Sequence, residues 1–213
     1  MDIVIRHEEA KDYRRVEEVA REAFWNLYHP GCSEHAVIHQ MRNHEDFMPD
    51  LSFVIEVDGE IVGSIFYTHS KILMGDGREI KTITFGPVSI LPSMHRKGLG
   101  KKLIEHSIAV AKELGHRAIL TMGYPYHYEV YGFRGGKKYG ISMPDGKFYK
   151  GLLVLPLYEG ALDNISGHAY FSEGLNPPSE EVLDTFDKEF PHKEKGYQES
   201  QKEFEQAATL LDE

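Results

Sequence analysis

The chain has one cysteine, Cys32, among 213 residues, so no internal disulfide can staple the fold, and a reducing compartment suits it. Long apolar runs are missing too. The longest, GLLVLPLY at 151–158, is far short of the ~20 residues that a membrane-spanning helix needs. Cations are in deficit, with 24 Lys and Arg against 34 Asp and Glu and a formal net charge of -10. A general nucleic-acid binder needs clustered Lys and Arg to neutralise phosphates, so the balance argues against one. It mildly favours cationic or amine-bearing partners. The opening MDIVIRHEEAKDYRR is charged from its second residue and lacks a signal-like apolar stretch. A cytoplasmic protein without membrane or nucleic-acid partners is the expectation. The sequence also lacks a Walker loop GxxxxGK[ST], a three-glycine dinucleotide fingerprint and internal repeats.

The length suits a single domain with a full core, and the residue pattern supplies the parts. Residues 3–5 read as a strand. Between Ala10 and Leu27, apolar Val16, Ala20, Ala23, Phe24 and Leu27 fall at helical spacing. HPGCS breaks that run, and Ser33 is placed to cap a second helix through Asn43. The stretch LSFVIEVDGEIVGSIFYTHSKILM is rich in β-branched and aromatic residues, with Asp58-Gly59 supplying a two-residue hairpin turn. A second turn, GDGRE, leads into IKTITFGPVSIL, giving three consecutive antiparallel strands. A helix follows over Gly98–Leu114, ended by Gly115. RAILTM reads as a strand parallel to its predecessor, YHYEVYGF as a helical turn and FYKGLLVLPLY as a further strand.

Beyond about Phe171 the chain becomes charge-rich, with Pro177-Pro178 as a linker and weakly amphipathic helices expected near 179–189 and 197–212. The division expected is a domain over 1–172 and a helical C-terminal extension over 173–213. That extension either lies on the domain or a partner, or forms a free disordered tail.

One junction, FGPVSILPSMHRKGLGKKLIEH at 85–106, concentrates the chemistry. Pro87 has no N–H for a sheet ladder, so its strand must bulge or part from a neighbour there. Gly98 and Gly100 bare the backbone just where a helix begins, and unpaired amides at a helix start attract anions. Arg96, Lys97 and Lys101 add positive charge. Such a junction fits a phosphate or pyrophosphate, although a glycine pair also serves simply as a tight turn.

The string VSILPSMHRKGLGKKL resembles motif A of the GNAT N-acetyltransferase superfamily, a V-x-V/I-x-P strand followed by Q/R-x-x-G-x-G/A and a helix. The order of elements over roughly 1–170 agrees. FGPVSILP, KGLG and GYPYHYEVYGF together are similar to a bacterial branch of predicted N-acetyltransferases with an LGPLAV-P strand and a GDP-x-YY-x-RFGF segment. The resemblance implies an α/β (α+β) fold with a mostly antiparallel mixed sheet, splayed at the cofactor strand and flanked by helices. It implies acetyl-CoA as cosubstrate, its pantetheine arm pairing with Val88, Ser89 and Ile90. The pyrophosphate would sit on the loop N–H groups within Arg96, Lys97, Gly98, Leu99, Gly100 and Lys101, and His95, standing where the family has Gln or Arg, would also contact the cofactor.

By the same resemblance Tyr128 is the proton donor to the leaving thiolate, and His127 replaces the first tyrosine of the family's pair. Packing is the competing role for this aromatic cluster, from Tyr124 to Phe133. Glu56, His69, His127 and Glu129 are titratable groups near the expected slot, and spacing singles out none as base. His29, Cys32, His35 and His39 have gaps resembling zinc ligands, but twelve histidines make chance clusters common and no metal site is assigned. The same segment is where the family's substrate loop occurs. The expected activity is transfer of an acetyl group to a primary amine, on a small molecule or peptide, by direct attack in a ternary complex. A non-catalytic acyl-CoA-binding sensor or interaction module is the alternative, and a homodimer is left open.

Overall fold

A computed structural model describes residues 1–212. The short strand β1 (Ile3–His7) leads through one 3-10 turn into α1 (Tyr13–Phe24), and α2 (Glu34–Met41) follows after a turn at the Pro30-Gly31 break. Both helices are shorter than the apolar spacing suggests. Ser33 stands at the N-cap of α2, but its side chain makes no capping hydrogen bond. Arg42 ties the two helices to the sheet through ion pairs with Glu8 (2.7 Å) and Glu17 (2.5 Å).

Three antiparallel strands come next: β2 (Phe53–Val57), β3 (Glu60–Met74) and β4 (Glu79–Ile90). The turn between β2 and β3 is the expected one, with Asp58 at φ 51° and Gly59 at φ 85°. Period-two alternation sends the strand side chains to opposite faces. Phe53, Ile55, Ile65 and Tyr67 enter one core with Leu99, Leu103, Ile104 and Ile108 of α3 (Leu99–Glu113). Val54 and Phe66 enter a second core with Val16, Val19 and Ala20 of α1 and Ile38 and Met41 of α2.

The chain continues through β5 (Ala118–Met122), the single helical turn α4 (Pro125–Tyr128), β6 (Arg134–Gly135), β7 (Ile141–Ser142), β8 (Leu152–Pro156) and β9 (Gly167–Tyr170). Among the described residues the sheet runs β1-β2-β3-β4-β5-β8-β6, with β9 paired to the far end of β3 and to β7. Only β4–β5 and β7–β9 are parallel. The fold is therefore a mixed, mostly antiparallel open sheet covered by helices on both faces. Strands β6, β7 and β9 lie in stretches for which the sequence suggested no strand. Among the described residues no helix is long and apolar enough to cross a membrane.

Beyond β9 the chain turns back over α1 and α2. Helix α5 (Glu180–Asp187) is latched by Arg21, which donates to both carboxylate oxygens of Asp187 at 2.7 and 3.1 Å. Phe190 is buried beside it, and Arg14 lies over the Phe190 ring. Trp25 Nε1 donates to the Glu194 carbonyl (3.0 Å), and Asn26 Oδ1 accepts from Gly196 N (3.0 Å). Helix α6 (Glu199–Thr209) then crosses back toward β8, where Lys150 N donates to Leu210 O (2.9 Å) and Asp212 N to Phe148 O (2.8 Å). The extension is a strap held at both ends.

The row of Cys32, His35 and Asp187 belongs to this latch. His35 Nδ1 is 3.4 Å from Cys32 Sγ, and its Nε2 is 3.2 Å from Asp187 Oδ1 without hydrogen-bond geometry. Burial pushes the Cys32 thiol up and the His35 imidazole down to about 4, the wrong directions for an activated nucleophile and its base. Burial holds His35 neutral, whereas in the unfolded chain it titrates at its ordinary 6.5. Between those two values the unfolded state binds the extra proton, so stability falls as pH drops through the window. Denaturation curves are expected to show this loss between pH 6.5 and about 4. They should show a shallower one in His35→Leu, which keeps the apolar packing and leaves Asp187 with Arg21. Equal slopes in the two proteins would mean that another group titrates.

Candidate active site

The site begins where β4 leaves β5. The two strands pair only at Ile83–Ile119 and Thr84–Leu120, and the ladder stops just before Pro87. A register shift against β3 at the same level bends β4 away. Thr121 Oγ1 reaches toward the Phe85 carbonyl at 3.5 Å, where the backbone ladder no longer does.

Beyond the shift, Leu91 N donates to Val62 O (2.8 Å), which fixes the parity of the pairing. Ser89, opposite Ser64, then spends its main-chain groups on β3, and its hydroxyl meets the Ser64 hydroxyl at 3.0 Å. Val88 and Ile90 turn theirs toward the gap. Of the three strand residues picked out from the sequence, two present backbone to the opening. His95 comes to the same edge, its Nε2 donating to the Ile90 carbonyl at 2.8 Å.

The loop then coils into α3. Arg96 (φ 62°) and Gly98 (φ 76°) are left-handed, and Gly98 is the N-cap with no side chain covering the first amides. A Cβ on Gly100 would touch only Ile90 Cγ1, at 3.6 Å, so the space before the helix start is open. Leu99 differs from its neighbours because its side chain is buried in the core. Arg96, Lys97 and Lys102 are exposed and make no ion pair among the described residues, while Lys101 lies 3.7 Å from Glu105. Uncovered amides and free cations at one helix start fit a pyrophosphate.

A cleft of about 450 Å³ opens on the other side of the parted strand, lined by Phe85, Gly86, Pro87 and Val88 of β4. Tyr128 stands in its wall. The ring packs on Phe85 (5.4 Å between centroids) and Phe133 (5.8 Å), so it is fixed in direction. Burial pushes its hydroxyl up to about 12, which keeps it protonated and able to donate. A Cβ on Gly123 would come within 2.5 Å of the Tyr128 ring, so the glycine is what lets the ring lie there.

Of the four titratable residues considered as bases, only His127 lines the cleft. Glu56 is held by Arg6, while His69 and Glu129 are exposed outside it. Sequence reasoning passed over Glu34, the one carboxylate in the lining among the described residues, together with Tyr28 and Phe204. A charged residue in the first turn of a helix is ordinary, so spacing carried no signal for Glu34. The nearest hint was that its segment borders the acceptor pocket. The four residues with zinc-like gaps are not drawn together: His39 bonds Glu17, and His29 lies beside the Pro30 carbonyl. Among the described residues no group of three or more His, Cys, Asp or Glu is arranged to hold a metal.

Residues 19–128, just over half of the chain, match the acetyltransferase (GNAT) family. Among curated proteins the chain is similar to the N-acetyltransferase YjhQ of Escherichia coli, with 23% identity over 161 residues, covering 74% of this chain and 85% of that one. Among solved structures it is similar to E. coli YhbS, a GNAT-family N-acetyltransferase in complex with CoA. That TM-score is 0.72 at 20% identity, covering 82% of this chain and 92% of that one. A GNAT-family acetyltransferase from Brucella melitensis in complex with acetyl-CoA gives a TM-score of 0.65 at 23% identity, covering 82% and 99%. With the parted strands, the bare helix start and the sheet order in agreement, this chain belongs to the GNAT acetyltransferase family.

Proposed function

We propose that the protein transfers the acetyl group of acetyl-CoA to a primary amine by direct attack in a ternary complex. The observation that carries the reading is continuity. The amide-lined start of α3, the free edge at Ile90 and Val88, and the cleft at Phe85–Val88 follow one another along a single strand. A pyrophosphate at the loop, with pantetheine along that edge, delivers the thioester to the cleft. The relatives solved with CoA and acetyl-CoA support the choice of carrier.

In this reading the amides of Leu99, Gly100 and Lys101 hold the pyrophosphate, with Arg96, Lys97 and Lys102 around it. Val88 and Ile90 offer main-chain groups to pantetheine, and His95 caps the Ile90 carbonyl until the carrier arrives. Ser89 supports the strand from the β3 side. In the cleft an unprotonated amine attacks the thioester carbonyl, and Tyr128 donates a proton to the departing sulfur. Residues 173–212 then act as part of the enzyme's acceptor side, because α6 contributes Phe204, Ala207 and Ala208 to the cleft.

Gly100→Glu tests the phosphate end. Gly100 is the better position than Gly98, whose left-handed φ of 76° would strain any side chain. Affinity for CoA, measured by calorimetry, is expected to fall on the order of 100-fold with the fold intact. Unchanged affinity would remove the pyrophosphate from this loop.

Tyr128→Phe tests the other end. Loss of a general acid should lower kcat by about 10²-fold with little change in CoA affinity. A fully active variant would take the donor role from Tyr128. Thiol release from acetyl-CoA across a panel of amines separates the enzyme from a protein that only binds the carrier.

A further inference from the structure

Among the described residues the cleft has one carboxylate in its lining, Glu34. The same cleft is lined by Phe24, Tyr28, Val37, Leu175 and Phe204, and no Lys or Arg among the described residues lines it. Phe204 packs on Tyr28 with ring centroids 4.4 Å apart, so the strap completes an aromatic wall of the cleft that Glu34 also lines. Glu34 accepts a hydrogen bond from Ser33 N at 3.0 Å and makes no ion pair among the described residues. A lone carboxylate among apolar walls is costly to bury unless something neutralises it. Among the described residues no Lys or Arg reaches it, and the cleft leaves room for a ligand to supply a cation.

We propose that Glu34 binds the acceptor's ammonium group and takes its proton, and that the acceptor is a primary amine on an apolar or aromatic body with no carboxylate beside the nitrogen. The inference rests on the acetyl-transfer reading above. Among the described lining residues an amino-acid carboxylate would find no Lys or Arg, with His127 as the single basic group, and it would share the cleft with Glu34. A flat or branched hydrocarbon body finds Phe24, Tyr28 and Phe204.

The protons balance. The ammonium gives one proton to Glu34, and the freed nitrogen lone pair forms the C–N bond as the C–S bond breaks. Tyr128 protonates the sulfur, and the second nitrogen proton leaves to solvent. With Glu34 and Tyr128 restored, one ammonium and one acetyl thioester yield one amide, one thiol and one proton.

Burial raises the Glu34 carboxyl above its ordinary range, while hydrogen bonds from its own and the Ser33 amide and the charge of His29 act against that. Tyr28, His29 and Cys32 sit beside it in sequence. Tyr124, His127 and Tyr128 face the same cleft, and Glu203 of α6 acts on Tyr124. Lys195 packs near Gly31 but is engaged with Asp184 at 3.1 Å. His127 is the competing base, although it is exposed and makes no hydrogen bond that would orient its ring.

The test is thiol release from acetyl-CoA by wild type, Glu34→Gln and His127→Gln, with phenethylamine, hexylamine and phenylalanine, across pH. Calorimetry with CoA is run on each protein. Phenethylamine and hexylamine are expected to turn over, with phenylalanine about 100-fold poorer in kcat/KM. Glu34→Gln should lose about 100-fold in kcat/KM for phenethylamine. Its acid limb should move up toward the ionisation of the free amine, while CoA affinity holds. An unmoved limb, the same shift in His127→Gln instead, a preference for phenylalanine, or no release from any of the three by a CoA-binding protein would each overturn the proposal. Failure of wild type to bind CoA would strike the acetyl-transfer reading itself.

Discussion

Everything at this site depends on two parallel strands ceasing to pair. A sheet interior satisfies its backbone groups by laddering, and a chain that stops laddering must offer those groups elsewhere. Pro87 removes one donor outright, and the register shift on the β3 side bends β4 out of line. The consequence is a strand that is tied along one edge and free along the other. Because β3 holds Ser89 and Leu91 firmly, the edge at Val88 and Ile90, which leaves the β5 ladder and among the described residues meets only His95 at the Ile90 carbonyl, is held in place. A flexible loop offering the same groups would lose more entropy on binding. The core beneath it, with Tyr67, Phe85 and Phe133 in edge-to-face contact, keeps the strand from collapsing into the gap.

The second constraint is the strap. A cleft between splayed strands and the first two helices is shallow, and it gains depth when another element covers it. Here α6 supplies that cover, held at one end by hydrogen bonds at Asn26 and at the other by backbone pairing at Phe148 and Lys150. Gln201 joins the two halves by donating to the Asn26 and Gly196 carbonyls, both at 2.9 Å. Helix α5 carries no cleft residue. Its work is the Arg21–Asp187 contact, which fixes where the strap starts. The chain thus uses a polar, charge-rich sequence for a wall whose inner face is Leu175, Pro177, Phe204 and two alanines.

Features governed by short-range chemistry were legible in the sequence. Asp58-Gly59 announces a tight turn because few other pairs tolerate two positive φ values, and Pro87 announces a break because it has no donor. The glycines at 98 and 115 mark the two ends of α3 for the same conformational reason. What escaped was decided by distant partners. Gly167–Tyr170 becomes a strand because β3 runs far enough to offer it an edge. Glu34 looks like any acid at a helix start, and only the fold of α1, β4 and α6 around it makes it solitary. His29, Cys32, His35 and His39 have gaps like those of zinc ligands, and in the structure His35 instead stacks on Phe186 of α5, with Cys32 beside it.

The two ends of the site differ in charge in a way that suits two unlike substrates. An acidic chain with a net charge of -10 repels polyphosphates at long range, so a phosphate site on it must be made locally. Arg96, Lys97, Lys101 and Lys102 cluster at the start of α3, where helix amides point the same way. The cleft is the reverse, with one carboxylate and no Lys or Arg in its lining among the described residues. An anionic carrier entering from the loop and a cationic acceptor entering from the strap would each be disfavoured at the other's end. Between the two ends runs the strand from Phe85 to Ile90, which carries no charged residue, and in the proposed reading an uncharged thioester would meet there an amine that has given up its proton.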